Sequence, residues 1–139
     1  MNFTPIIYPL LAQVALTFCL MFIMAVSRVK AAQARRYKLR DIAVNSANYP
    51  DDVRKSGNSY VNQFELPVLF YLICIVLIIA GPGNNKFYLM LAWAFVASRI
   101  VHAFIHVTSN NVIRRFYAFL AGAIILIAMW GLLAFEQLT

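Results

Sequence analysis

Charged residues are scarce in this sequence. Only 12% of its 139 residues are Asp, Glu, Lys or Arg, and 63% are hydrophobic, whereas about a quarter of a soluble domain is charged. A small soluble domain cannot bury so much apolar surface, because its surface is large relative to its volume. The composition therefore excludes an ordinary soluble domain and predicts an integral membrane protein, with a single domain over residues 1–139.

Cysteines and acidic residues are also few. Cys19 and Cys74 both lie in apolar runs and form no C-x-x-C motif, so we interpret them as small buried side chains and expect no disulfide or zinc cluster. The five acidic residues are outnumbered by 12 basic ones. No recognised nucleic-acid-binding module accompanies this basic excess, and nucleic acid is therefore not an expected partner.

Long apolar runs dominate the rest of the chain. A helix needs roughly 20 mostly apolar residues to cross ~30 Å of hydrocarbon. The runs predict an all-α membrane protein with four transmembrane helices in an antiparallel bundle, near residues 5–26, 62–80, 87–107 and 116–135. The first run lacks a basic leading region and a small-residue cleavage site, so we expect a retained helix. Short turns at 81–86 and 108–111 separate the last three helices.

Basic residues are concentrated in the first predicted loop, residues 27–57. That loop carries eight of them, the second loop has only Lys86, and the third has Arg114 and Arg115. Positive loops stay on the cytoplasmic side, which places loops one and three in the cytoplasm and both termini outside. Topology alone explains the basic run; contact with anionic lipid head groups or capture of an anionic ligand are the alternatives.

The second helix is expected to begin before its membrane span. The stretch Asn-Tyr-Pro-Asp-Asp at 48–52 predicts a turn and then a helix start, with Asp51 or Asp52 as N-cap. Asn58 would then lie on a cytoplasmic extension of this helix.

Polar residues form one narrow stripe on each of two predicted helices. With about 100° per residue, Asn58, Asn62 and Glu65 span about 60° of the second helix. The third helix carries Arg99, His102, His106 and Asn110 within about 80°. An ionised side chain at mid-bilayer costs ~2.5–3.5 kcal/mol on insertion scales, so such groups face the bundle and pair. We therefore expect an ion pair between Glu65 and Arg99.

These stripes have more than one interpretation. They could be interhelical contacts that hold the bundle together, or a convergent pocket for a small zwitterionic or anionic ligand. The spacing of His102 and His106 also suits a zinc site with Glu65 as third ligand, or a histidine proton donor. No surrounding metal-binding motif supports the zinc interpretation, and we predict no metal site.

Two motifs in this four-span arrangement resemble a known family. "NxxExP" at Asn62–Pro67 and "RxxHxxxH…RR" at Arg99–Arg115 are similar to the MAPEG family, membrane-associated proteins in eicosanoid and glutathione metabolism. The resemblance implies a homotrimer, with glutathione as co-substrate between neighbouring subunits near the cytoplasmic side. Some members act on lipophilic electrophiles or lipid hydroperoxides, and others bind lipid without catalysis. With the small size, it implies a bacterial inner-membrane protein.

The resemblance also implies residue roles. Arg115 would be the catalytic residue, because a guanidinium stabilises the thiolate, and only the thiolate is a good nucleophile. The implied glutathione-binding residues are Arg28, Asn62, Glu65, His102 and His106, with Asn58, Arg99, Arg114 and Tyr117 in supporting positions.

This sequence departs from the family pattern at three places. A tyrosine of the third helix is replaced by His106, and arginines before the helix-two asparagine are replaced by Asn58 and Val61. Phe119 stands where a helix-four aromatic hydroxyl is expected, although Tyr117 is nearby. The first two changes concern the glutathione carboxylates, and the third concerns activation of the thiol.

The expected function is a glutathione- or other thiol-dependent transferase or peroxidase acting on a small lipophilic electrophile, in contact with membrane lipids. One alternative is a non-catalytic lipid-binding or scaffold member of the family. A remote alternative is a small four-helix proton-coupled exporter. Such an exporter would place an acid centrally in its first helix, and the first helix here has none.

Overall fold

The computed structural model describes residues 4–80 and 82–138, and these residues are helical with short connections. The helices are α1 (Ile7–Gln33), α2 (Leu39–Ile42), α3 (Asp51–Val61), α4 (Leu66–Ala80), α5 (Lys86–Val107) and α6 (Val112–Leu138). In this part of the chain, four helical stretches are long and apolar enough to cross a membrane: α1, α3 with α4, α5, and α6. The prediction of an all-α membrane protein with four such helices is confirmed. Gly81, in the predicted turn at 81–86, lies outside the described residues.

Side-chain caps start the last two helices. The Asn85 side chain accepts a hydrogen bond of 2.9 Å from the Phe87 amide at the start of α5. Asn111 accepts one of 3.0 Å from the Arg114 amide at the start of α6. Each cap satisfies an amide that has no partner within its helix. The cap at Asn111 explains why α6 begins at Val112, before the predicted span at 116.

The second spanning stretch is broken where the sequence predicted a continuous helix. Asn62–Phe64 form a 3₁₀ turn, and α4 begins only at Leu66. Pro67 explains the break, because an unbroken helix would need a Pro67 N–H for the Gln63 carbonyl. In the first turn of α4, the missing N–H removes no intrahelical bond.

The start of α3 differs from the sequence prediction. Pro50 is the N-cap and no side chain caps the helix, so the assignment of Asp51 or Asp52 as N-cap was wrong. Both carboxylates lie in the first turn, where the helix dipole favours negative charge. Two hydrogen bonds of 2.8 Å from Arg36 hold the Asp52 carboxylate. This contact joins the end of α1 to the start of α3.

The core lies between α4, α5 and α6. The rings of Phe70 and Phe95 stack with their centroids 4.4 Å apart. α6 approaches α5 closely at Gly122, where an added Cβ would lie 2.8 Å from the Ser98 Oγ. Where the start of α5 lies beside the end of α6, the Tyr88 hydroxyl donates a 2.9 Å hydrogen bond to Glu136 Oε2. These contacts fix the α5 face that carries the polar residues.

Candidate functional site

Polar residues of α5 form one buried face, as the sequence predicted. Arg99, His102 and His106 are 0%, 3% and 2% exposed. Asn110 does not belong to this helical face, because α5 ends at Val107. It lies in the following turn with a φ of 49°, in the left-handed region. The angular position calculated for Asn110 assumed a helix that does not extend so far.

Arg99 contacts the broken part of the second stretch. Its Nη2 donates a 3.3 Å hydrogen bond to the Asn62 carbonyl oxygen. The predicted ion pair between Arg99 and Glu65 was wrong: the Glu65 side chain is exposed, and it forms no ion pair within residues 4–80 and 82–138. Because the helix is interrupted beside Asn62, a backbone carbonyl is available there as the partner of the buried guanidinium.

Arg115, in the first turn of α6, is held by two side chains from the end of α5 and the turn after it. Its Nη1 lies 2.7 Å from Asn110 Oδ1 and 3.2 Å from His106 Nε2. Arginine is always a donor, so both contacts use hydrogens of the guanidinium. The chain thus orients a cation at the end of the bundle where the second stretch is broken.

Two cavities meet at Arg115 and Asn62. A polar cavity of about 290 Å³ is lined by Asn58, Val61, Asn62, Glu65, His106 and Arg115. An aromatic cavity of about 220 Å³ is lined by Asn62, His102, Val112, Arg115, Phe116 and Phe119. Arg115 and Asn62 form part of both walls. The second-helix stripe of Asn58, Asn62 and Glu65 thus borders one cavity despite the break.

Arg28 lies in a third, smaller cavity that adjoins the polar one. This cavity of about 80 Å³ shares Asn58 and Val61 with the polar cavity. The Arg28 guanidinium carbon lies 5.0 Å from the centroid of the Tyr49 ring, which is a cation–π contact. Tyr37 packs edge-on against Tyr49, and its hydroxyl donates a 3.0 Å hydrogen bond to the Arg28 carbonyl. The structure therefore places Arg28 and Arg115 in neighbouring cavities.

The MAPEG family model matches residues 6–135, which is nearly the whole chain. The chain belongs to the MAPEG family. Comparison with curated proteins and with solved structures gives no match. The family assignment and the four apolar stretches make this an integral membrane protein of the MAPEG family.

Two of the predicted supporting residues lie away from the cavities of this MAPEG chain. The Arg114 and Tyr117 side chains are exposed and line none of the three cavities. Tyr117 packs edge-on against Phe116, with the ring centroids 5.9 Å apart. Phe119 instead borders the aromatic cavity, so no tyrosine hydroxyl borders these three cavities close to Arg115.

A buried amide pair, which was not predicted from the sequence, lies beside the site. Gln13 Nε2 donates a 3.0 Å hydrogen bond to Gln63 Oε1, and Gln63 Nε2 donates to the Ser59 carbonyl at 3.2 Å. Both glutamines are almost fully buried. The pair joins α1 to the broken segment of the MAPEG bundle. The available signal was a glutamine in each of two otherwise apolar runs, since buried amides are normally hydrogen-bonded.

Proposed function

We propose that this MAPEG protein uses glutathione, or another small thiol, in a transferase or peroxidase reaction on a lipophilic electrophile. The observation that carries this proposal is the position of Arg115 in the common wall of two different cavities. One cavity is polar and suits a thiol peptide, and the other is aromatic and suits an apolar acceptor. A sulfur beside Arg115 would face both.

The polar cavity has groups that complement glutathione. The amides of Asn58 and Asn62 can bond to peptide groups. The exposed Glu65 carboxylate has no ion-pair partner within the described chain and can bind the ammonium group. Arg28, in the adjoining cavity, can bind a carboxylate. An extended tripeptide can therefore lie across the two cavities with its thiol toward Arg115.

Arg115 would act by favouring the thiolate. A thiol with an ordinary pKa near ~8.5 is mostly protonated at neutral pH. Lowering that pKa by about two units would need about 2.7 kcal/mol of preferential stabilisation of the anion. A guanidinium held by His106 and Asn110 can supply this without reorganising during the reaction. The thiol proton passes to solvent, the thiolate sulfur bonds to the electrophilic carbon, and the leaving group departs with the electrons of the broken bond.

We further propose a homotrimer in a bacterial inner membrane, with lipids around it and glutathione bound between neighbouring subunits. Among the described residues Glu65 has no ion-pair partner, and the cavities lie at the surface of a single chain; both observations support a site that a second subunit completes. The first loop, with eight basic residues, and the third, with Arg114 and Arg115 beside it, would face the cytoplasm, because the second loop has only Lys86. The location in a bacterium follows from the resemblance and the small size.

The competing function within the family is lipid binding without catalysis. Phe119 favours it, because this apolar ring borders the aromatic cavity where a hydroxyl could have assisted the thiol. A bound acyl chain would occupy the same cavity as the proposed electrophile. The exporter alternative lacks support, since α1 contains no acidic residue.

Calorimetric titration of the detergent-purified protein with glutathione tests the proposal. We expect saturable binding, with ultraviolet absorbance of the thiolate, and turnover of a chlorodinitrobenzene-type acceptor. Arg115→Ala should lose the thiolate absorbance and the turnover. Arg40→Ala, which removes an exposed arginine of α2, is the matched control and should retain both.

Absence of binding at millimolar glutathione would contradict the proposed function. Co-purified lipid should then be sought by mass spectrometry. Lipid bound in the wild type and lost on Phe119→Ser would identify the lipid-binding alternative.

A further inference from the structure

We infer that Asn110 is a positioning residue for Arg115, and that His106 acts through Arg115 rather than as a direct ligand of the thiol peptide. The functional part of this inference rests on the proposed role of Arg115. Its structural part, that these two side chains fix the guanidinium, stands on the contacts alone.

The contacts at Nη1 account for all of its hydrogens. A guanidinium Nη carries two hydrogens, and Arg115 Nη1 has two acceptors, Asn110 Oδ1 at 2.7 Å and His106 Nε2 at 3.2 Å. Within the described chain, Nε and Nη2 have no hydrogen-bond partner. These two nitrogens form one edge of the planar group and present a pair of parallel N–H donors. The anchoring of Nη1 therefore leaves one complete edge of Arg115 for an anion.

The direction of the hydrogen bond fixes the state of His106. Arg115 can only donate, so His106 Nε2 must supply the lone pair, and the neutral ring carries its proton on Nδ1. His106 Nε2 is then engaged and cannot also donate to a carboxylate or a thiolate. Although His106 borders the polar cavity, its contact with Arg115 assigns it a positioning role.

Asn110 meets two separate requirements at one position. Its backbone terminates α5: the φ is 49°, and its N–H donates a 2.7 Å hydrogen bond to the Ile105 carbonyl. Glycine and asparagine are the residues that most readily adopt this conformation after a helix. Only asparagine also supplies a carboxamide that can reach Arg115. Glycine would keep the turn and lose the contact, which separates the two roles experimentally.

Fixing the guanidinium matters because an arginine side chain has several freely rotating bonds. Preorganised donors stabilise a developing charge more effectively than mobile ones, which must be ordered during the reaction. Losing one hydrogen bond to a charged group corresponds to about tenfold or more in the equilibrium it supports. We expect Asn110→Gly to lower kcat by about tenfold. KM should change little, because Asn58, Asn62 and Arg28 would still bind the peptide.

The experiment compares Asn110→Gly with Asn110→Asp, which keeps an acceptor oxygen at the same place and tolerates the left-handed backbone. The first measurement needs no ligand: nitrogen-15 relaxation of the Arg115 guanidinium in lipid nanodiscs, with the signal assigned by its loss in Arg115→Lys. We expect a mobile guanidinium in Asn110→Gly and a rigid one in the wild type and in Asn110→Asp. A guanidinium that stays rigid in Asn110→Gly overturns the inference.

The second measurement is the thiolate absorbance of bound glutathione, with kcat and KM for each variant. Reduced absorbance and kcat in Asn110→Gly, with KM near the wild-type value, support the functional part. Wild-type values in Asn110→Gly overturn that part. If the wild type binds no glutathione, the proposed function fails, while the relaxation measurement still decides whether Asn110 fixes Arg115.

Discussion

Because α6 approaches α5 closely at Gly122, we expect that replacing this glycine by alanine does not stabilise the protein, although alanine is the better helix former. An added Cβ would lie 2.8 Å from the Ser98 Oγ, and the next atoms, in Arg99 and Phe95, are 3.8 Å away. The serine hydroxyl is therefore the one close obstacle. It donates a 2.6 Å hydrogen bond to the Phe95 carbonyl, so moving it aside also breaks that bond. Gly122→Ala should force the hydroxyl or the helix to move.

The expected size of the effect follows from two opposed contributions. Overpacking costs about 1–3 kcal/mol, whereas replacing glycine by alanine inside a helix gains about 1 kcal/mol. Gly122→Ala should therefore be neutral or destabilising by up to about 2 kcal/mol. In a Ser98→Ala background the obstacle is gone, and the same change should stabilise by about 1 kcal/mol. The difference between backgrounds is a coupling of about 1–3 kcal/mol.

The assay is reversible unfolding in mixed detergent micelles, followed by circular dichroism, for the wild type, both single variants and the double variant. Gly131→Ala on the same helix is the matched control, because nothing lies within 4 Å of a Cβ there. It should show only the gain in helix propensity. If Gly122→Ala stabilises the protein as much as Gly131→Ala does, the argument from close approach is refuted.

Two further predictions concern the surroundings of the site. Gln13→Leu should destabilise the protein by about 1–3 kcal/mol, because Gln63 Oε1 would remain buried without a donor; in the same unfolding assay, the double variant with Gln63→Leu should lose less than the sum of the two single changes. Tyr49→Leu should raise the Kd for glutathione by about twofold to fivefold, because Arg28 loses a cation–π contact worth about 0.5–1 kcal/mol. Calorimetry should show this rise with unchanged thiolate absorbance, whereas Tyr8→Leu should leave the Kd unaltered. An unchanged Kd in Tyr49→Leu would argue against a role for Arg28 in binding the ligand.

The sequence predicted some features of the site and not others. The buried stripe of Arg99, His102 and His106 was predictable, because three side chains within one regular helix keep a fixed angular relation. The hydrogen-bond partner of Arg99 was not predictable in this way. Charge balance favoured Glu65, but Pro67 interrupts the helix and places a backbone carbonyl of Asn62 beside the guanidinium. A prediction based on opposite charges alone left out the backbone carbonyl groups, which can also accept hydrogen bonds from an arginine.

The contact of Asn110 with Arg115 was also not predictable from the sequence pattern. Its sequence spacing fits the helical stripe, but the helix has ended at Val107, and the left-handed turn directs its carboxamide to Arg115. Gln13 and Gln63 lie far apart in sequence, and nothing in either local pattern indicates that they meet.

Composition and helical periodicity were enough to predict the membrane class, the four apolar stretches, the basic first loop and the residue types near the site. These features follow from local composition, because the thickness of the hydrocarbon layer and the period of the helix act on consecutive residues. The contacts between these groups are visible only in the folded chain: Arg99 bonds to the Asn62 carbonyl, and Arg115 lies between His106 and Asn110. Those contacts depend on where a helix breaks and how a turn is shaped, and so on the joint packing of α4, α5 and α6 rather than on any one segment.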